Sequence, residues 1–406
     1  MVNALRGMKD TISPESEIYS YIIETCTRIA KRYGFSFIET PILEETALFK
    51  RSVGESSDIV GKEMYQFIDK GGNDVCLRPE GTAGVVRAFI GQKYDKAGGI
   101  RRFFYHGPMF RYERPQKGRL RQFHQFGAET FGEAHVDEDA TIIIMLSEMF
   151  NALGIGYTLE INSLGCPECM PSYRLQLVSF LDSIEGLCED CERRKQTNPI
   201  RVLDCKNATC KTLLTHAPML LNHLCENCTS DFERLKHQLE RFGVAYSVNT
   251  KLVRGLDYYS KTAFEFVSSE IGAQSAIAGG GRYDRLVEFL DGKPTPGVGF
   301  AMGIERLMEL VKMPEVTREG YYIGALCEKA QEIVFGLVLE KRRYHSVSTS
   351  YETKSLKNHL KQADKNFVKF CVCIGEDELA QNSVWIKNLE TKEETIISID
   401  AFKIIR

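Results

Sequence analysis

The stretch from residue 101 to residue 132, RRFFYHGPMFRYERPQKGRLRQFHQFGAETFG, restricts the available folds more than any other part of the chain. It reads as two short extended runs joined by a polar, glycine-containing turn, so the runs pair as neighbouring strands. Strand side chains alternate between two faces, which puts Arg111 and Glu113 on one face of the first run and Phe110 and Tyr112 on the other. In the returning run Phe123, Gln125, Gly127 and Glu129 align in the same way. If these faces coincide, one surface carries an arginine, two carboxylates, an amide and an aromatic ring, too polar a set for a core. A solvated hairpin face and a ligand site both fit that pattern. Charge leans toward a ligand: from Arg101 to Arg121 there are seven basic residues against the single acid Glu113, in a chain whose net charge is -3. A local cationic excess in a near-neutral chain points to an anion.

The 406 residues suffice for two or three domains, each with its own core. No run approaches the ~18 apolar residues of a membrane span, and the N-terminus lacks the apolar stretch of a signal peptide, so a cytoplasmic location is expected. The low net charge argues against nonspecific binding to long nucleic acid, leaving local patches to meet any nucleic-acid partner.

Residues 15–34 place Ile18, Ile22, Cys26 and Ile29 at helical spacing and stop at Gly34. The segment FSFIETPILEE then alternates like a strand, with Pro41 suited to a sheet edge. In VCLRPEGTAGVVRAFI a strand turns at Pro79-Glu80-Gly81 into a helix, with Thr82 as the expected N-cap. AHVDEDATIIIMLSEMFNALG predicts an amphipathic helix with an acidic first turn. KLVRGLDYYSKTAFEFV reads as a strand broken around Arg254-Gly255-Leu256-Asp257-Tyr258-Tyr259. SAIAGGGRYDRLVEFL brings three glycines before a helix, without the lysine of a phosphate-binding loop. GVGFAMGIERLMELV runs from strand to helix, with Arg306 off the apolar stripe. Residues 313–319 read as a linker, and 320–406 as a separate α/β domain in which Lys354, Lys357, Lys361, Lys365 and Lys369 give a modest basic surface.

Eight of the thirteen cysteines fall between Cys166 and Cys228, in four pairs: Cys166/Cys169, Cys188/Cys191, Cys205/Cys210 and Cys225/Cys228. The first two pairs have the spacing of paired zinc knuckles, and the last two could form a second four-thiolate set. Four thiolates close a coordination sphere, so the expected zinc is structural. Spacing alone does not fix which pairs converge.

These segments together resemble one family. FRYERPQKGRLRQFHQFGAE is similar to motif 2 of class II aminoacyl-tRNA synthetases, GFSFIETP to motif 1 and GVGFAMGIERL to motif 3. LRPEGTAG, LVRGLDYYS and AGGGRYD resemble the signatures of the bacterial histidyl-tRNA synthetases within that class. The resemblance implies an α+β catalytic domain over residues 1–312, an antiparallel sheet flanked by helices. A mainly helical, cysteine-rich insertion would occupy about 166–240, and an anticodon-binding domain 320–406. It implies a homodimer with Pro41 near the interface. It implies ATP, carried with Mg2+, L-histidine and tRNA(His) as the molecules bound.

By the same resemblance, Glu80, Thr82 and Gln125 would hold the amino group of histidine, Glu129 and Tyr259 its imidazole, and Tyr258 would line that pocket. ATP would stack its adenine on Phe123, set its α-phosphate against Arg111 and Arg254, and place its terminal phosphates near Arg119 and Arg306. Glu113 would assist at the adenine or the magnesium ion. Arg111 and Arg254 would thus serve both substrates, and Gln116 and Arg121 would meet the tRNA acceptor end. The chemistry agrees, since attack of a carboxylate on a phosphate brings two anions together and arginines lower that repulsion. A regulatory, non-catalytic relative is the competing reading. Retention of Arg111, Arg254, Arg306 and residues 320–406 speaks against it.

Overall fold

The alternating runs around residue 115 are the second and third strands of an eight-stranded sheet. In the computed structural model the described residues are 2–54, 57, 59–116, 118–205, 207–253, 258–271, 276–314 and 317–405. They fall into two compact units, Met1–Met313 and Pro314–Arg406.

The sheet of the first unit is built from Ser36–Phe37 (β1), Arg101–Phe110 (β2), Gln122–Phe131 (β3), Thr158–Ser163 (β4), Ser247–Val248 (β5), Ser260–Val267 (β6), Ala276–Arg282 (β7) and Gly297–Gly303 (β8). Their spatial order is β1-β2-β3-β8-β7-β6-β4-β5. The inner pairs are antiparallel, and the two edge pairs, β1 with β2 and β4 with β5, are parallel. The runs are longer than expected: β2 and β3 hold ten residues each, and the first ends at Phe110. Arg111 and Glu113 therefore lie beyond the strand, because the chain leaves the sheet to make the loop.

Alternation sorts β2 and β3 between two cores. Phe104, Phe126 and Ala128 point into the larger core, packed under helices Glu15–Arg32 (α1), Asp137–Ala152 (α2) and Glu226–Arg241 (α3). Tyr105, Met109 and Phe131 point the other way, against Val85, Val86 and Phe89 of the helix Thr82–Gly91. Burying each such aromatic side chain stabilises the fold by about 2–3 kcal/mol. Gln125 and Glu129 of β3 share this second face.

The acidic first turn of α2 does more than complement the helix dipole. Asp137 accepts from Arg234 and Gln238 of α3, Glu138 from Arg102 of β2 and Thr130 of β3, and Asp139 from the fully buried Arg282 of β7. One turn of helix thus ties four separate elements, and that helix is buried on most sides rather than amphipathic.

Between β4 and α3 the chain leaves the sheet as the cysteine-rich segment. It contains helices Met170–Asp182, Glu189–Thr197 and Ala208–Leu213 around a small core of its own.

The second unit is a five-stranded sheet in which Tyr321–Ala325, flanked by Val347–Ser350 and Phe370–Ile374, is parallel to both, while Ser383–Asn388 and Glu394–Ser398 continue it antiparallel. No helix among the described residues is long and apolar enough to cross a membrane.

Candidate functional site

On the second face of β3 lies the carboxylate of Glu129, fully buried. Three hydroxyls donate to its carboxylate: Thr82 at 2.7 Å, Tyr105 at 3.3 Å, and Tyr283. Burial pushes this carboxyl up to about 8; hydrogen bonds from Tyr283, Thr82 and Tyr105 pull the other way, and nearby Glu80 adds repulsion. Burial likewise holds Tyr105, Tyr258 and Tyr283 well above the ordinary phenol value, so all three stay protonated. Glycine makes room for the carboxylate: a Cβ at Gly299, directly across from Glu129 in the β3–β8 pairing, would overlap it.

Thr82 is not the N-cap its position suggested. It is the first residue of its helix, and Glu80 caps instead, its carboxylate accepting from the backbone N–H of Thr82 at 2.7 Å and of Ala83 at 2.9 Å. This frees the Thr82 hydroxyl to reach Glu129. Burial raises the Glu80 carboxyl, against those backbone bonds and the attraction of Arg111. Gln125 lies two residues before Glu129 on the same face, and its buried Oε1 has no hydrogen-bond partner among the described residues. Tyr258 and Tyr259 pack ring to ring at 4.6 Å, and Tyr259 lies 6.3 Å from Tyr283.

At the mouth the character changes to cationic. Arg111 donates to the Pro79 carbonyl at 2.9 Å and lies over the Phe123 ring, 5.3 Å from its centre. Glu113 joins two arginines, accepting from Arg119 at 2.7 Å and lying 3.9 Å from Arg111. Arg306 reaches back to the carbonyls of Gly118 and Ala276. Burial holds the Arg306 guanidinium below its usual range, helped by repulsion from Arg119 and Arg111 and opposed by Glu113 and Glu265. Three guanidiniums gathered in a half-buried place suit a polyanion beside an aromatic ring.

The sequence-predicted residues thus gather in two adjoining groups. Glu80, Thr82, Gln125, Glu129, Tyr258 and Tyr259 form the polar pocket; Arg111, Glu113, Arg119, Phe123 and Arg306 form its cationic mouth. Arg254 lies outside the described residues. Gln116 pairs with Arg119 across the exposed loop, while Arg121 is already engaged, stacked 3.8 Å from the centre of the Tyr112 ring and donating to the Glu113 carbonyl. Tyr105 and Tyr283 escaped the sequence reading as site residues. Tyr105 has the parity of Arg111 along the first run, and Tyr283 follows directly on the glycine-rich strand; both signals were present.

The cysteines converge, but not as neighbours along the chain. Cys166, Cys169, Cys225 and Cys228 form one set, and Cys188, Cys191, Cys205 and Cys210 the other; within each, the sulfurs lie within 4.8 Å of one another. Of the pairings that spacing left open, the structure brings together first with fourth and second with third, because the segment folds back so that its two ends meet. Each all-thiol set fits a structural metal ion and leaves no open position for chemistry.

A family model described as histidyl-tRNA synthetase matches residues 7–172 and 181–307, and one described as an anticodon binding domain matches 328–404. The chain is 64% identical over 400 residues to the histidine–tRNA ligase of Sulfurimonas denitrificans, covering 98% of this chain and 99% of that protein. It is 60% identical over 402 residues to the corresponding ligase of Campylobacter fetus, covering 98% of each. The crystal structure of apo S. aureus histidyl-tRNA synthetase superposes with a TM-score of 0.83 at 32% identity, over 99% of both chains.

Proposed function

The chain belongs to the histidyl-tRNA synthetase family, with its class II fold and its histidine–tRNA ligase activity, and from that premise we propose how its own residues carry the reaction. The observation that supports the assignment most is the environment of Glu129: a buried carboxyl ringed by hydroxyl donors, next to an amide oxygen that has no partner among the described residues. Such a group suits a ligand that brings its own N–H and can share a proton, as an imidazole does.

Histidine enters with its imidazole between Glu129 and Tyr259 and its ammonium toward Glu80, Thr82 and the Oε1 of Gln125. Tyr258 closes the side of the pocket. ATP lies at the mouth, adenine on Phe123, α-phosphate facing Arg111 and Arg254, terminal phosphates near Arg119 and Arg306. Magnesium bound with ATP offsets phosphate charge, and Glu113 fixes the orientation of Arg119. A carboxylate oxygen of histidine attacks the α-phosphorus, the bond to the bridging oxygen breaks, and pyrophosphate leaves. A terminal ribose hydroxyl of the tRNA then attacks the carbonyl carbon of the adenylate and AMP departs. The loop carrying Gln116 and Arg121 adjoins the mouth and serves the acceptor end. Purified protein is expected to exchange pyrophosphate into ATP only when histidine is present; folded protein without exchange would sink the assignment.

The raised Glu129 carboxyl carries a pH signature. In the complex one proton is shared between Glu129 and the imidazole. Below the ~6.5 of a free imidazole the separate partners bring two protons, so one must leave on binding. Above the Glu129 value of about 8 they bring none, and one must be taken up. Histidine affinity is expected to be greatest between those values and to fall about tenfold per pH unit beyond either. Titration calorimetry in buffers of different protonation enthalpy measures the proton count; a flat profile would remove the shared proton.

The same reading makes residues 1–312 the catalytic domain, 313–319 a linker and 320–406 the anticodon reader, working in the cytoplasm where translation runs. It includes a homodimer, for which Phe37, Ile42 and Leu43, each more than 40% exposed around Pro41, offer apolar surface; sedimentation equilibrium reads that state directly. It also includes structural zinc on the thiolates of the 166–228 segment.

A further inference from the structure

We propose that the 166–228 segment is a two-zinc module with nested connectivity. The outer ion is held by Cys166, Cys169, Cys225 and Cys228 where the segment joins the catalytic sheet, and the inner ion by Cys188, Cys191, Cys205 and Cys210 in the segment's own core. This deepens the zinc reading above and depends on it.

Distance carries the argument. Four sulfurs about 2.3 Å from one ion stand roughly 3.75 Å apart at the corners of a tetrahedron. Cys166 lies 3.7 Å from Cys169 and 3.8 Å from Cys225, and Cys188 lies 3.8 Å from Cys205. Those separations are far too long for disulfides, and all thirteen cysteines are free. They are also too short for thiolates spread around an iron–sulfur cluster, since every sulfur in a set lies within 4.8 Å of the others. One small ion fits each set.

The surroundings are arranged for thiolates rather than for apolar packing. Backbone N–H groups donate to sulfur in both sets, Cys225 to Cys169 and Cys188 to Cys210, each at 3.2 Å. Cys169, Cys188 and Cys225 each stand at the N-cap of a helix, where the dipole favours negative charge. Gly165, at a positive φ of 63°, lets the chain turn into the first pair; a Cβ there would press on the side chain of Cys169.

The two ions would do different work. Cys191, Cys205 and Cys210 belong to the segment's small core, alongside Tyr173, Leu177, Leu181 and Val202. A core of that size gains much from a metal staple. The outer set lies between the end of β4 and the start of α3, so its ion clamps the exit and return of the chain onto the sheet that holds the pocket.

The test is metal analysis of full-length protein purified without chelator. Two zinc ions per chain are expected; one would overturn the two-site inference alone, and none would overturn the zinc reading as well. Pairing is read from double variants. Cys169→Ser/Cys228→Ser removes only the outer set in a nested module and should leave one zinc; pairing between neighbours along the chain predicts none. Cys169→Ser/Cys191→Ser reverses the expectation, none when nested and one when sequential. X-ray absorption on the unmutated protein guards against variants that fail to fold. It should find four sulfur ligands per zinc, and nitrogen or oxygen in the first shell would overturn the assignment.

Discussion

Glu129→Gln should lower kcat/KM for histidine by on the order of a hundredfold to a thousandfold, while the KM for ATP stays within about threefold. Glutamine fits the same slot beside Gly299, and it resembles the neutral carboxyl that burial favours at Glu129 near neutral pH. The empty protein should therefore fold normally. What is lost is the capacity to give the shared proton to the imidazole and hold the ion pair this creates, an interaction with a charged group worth about 2–4 kcal/mol when buried. Steady-state pyrophosphate exchange at varied histidine, with a thermal melt alongside, separates the outcomes. A variant with unchanged kcat/KM would remove Glu129 from histidine recognition, and the alkaline fall in histidine affinity should disappear in the variant if the assignment holds.

Arg254→Ala should slow adenylate formation by on the order of a hundredfold or more, the scale of losing one charge contact made in the transition state. Two anions, the histidine carboxylate and the α-phosphate, approach in line, and their repulsion grows as they close. Arg111 is anchored to the Pro79 carbonyl and stacked on Phe123, so it can meet that charge from one side only. The proposed reaction assigns Arg254 as the second guanidinium. Single-turnover kinetics is the suitable measurement, since a change in product release would not appear in it. An unchanged rate would leave Arg111 as the sole side-chain cation at the α-phosphate.

Much of the pocket was legible because strand alternation is a rigid rule. Phe123, Gln125, Gly127 and Glu129 share a face in the sequence and in the fold, and Phe126 and Ala128 take the opposite one. The rule reaches no further than the strand. Arg111 and Glu113 keep the right neighbourhood through the loop's own bonds to Pro79, Arg119 and Arg121. The Glu80 cap was hidden because a cap is recognised by where a side chain turns back, and Thr82 was the more usual capping residue for that place. The cysteine pairing was hidden for a larger reason: it depends on where a segment of some sixty residues returns to the sheet, which no local spacing records. In the second unit, Val347–Ser350 reads VSTS, too polar to announce itself as a strand, and it forms an edge where such residues are tolerated.

The positions of the cysteine pairs along the chain also set a timetable for synthesis. A ribosome completes the set Cys188 to Cys210 before Cys225 has been made, so the inner thiols can capture an ion on a nascent segment still held only at its leading end. The outer set waits for Cys228. By then the closed tip has shortened the free chain between Cys169 and Cys225, and the entropy lost in bringing the two ends together is smaller, because that cost grows with the logarithm of loop length. With both proposed ions bound in this order, maturation would run from tip to root, and a chain arrested before residue 225 would carry a finished tip on an open stem.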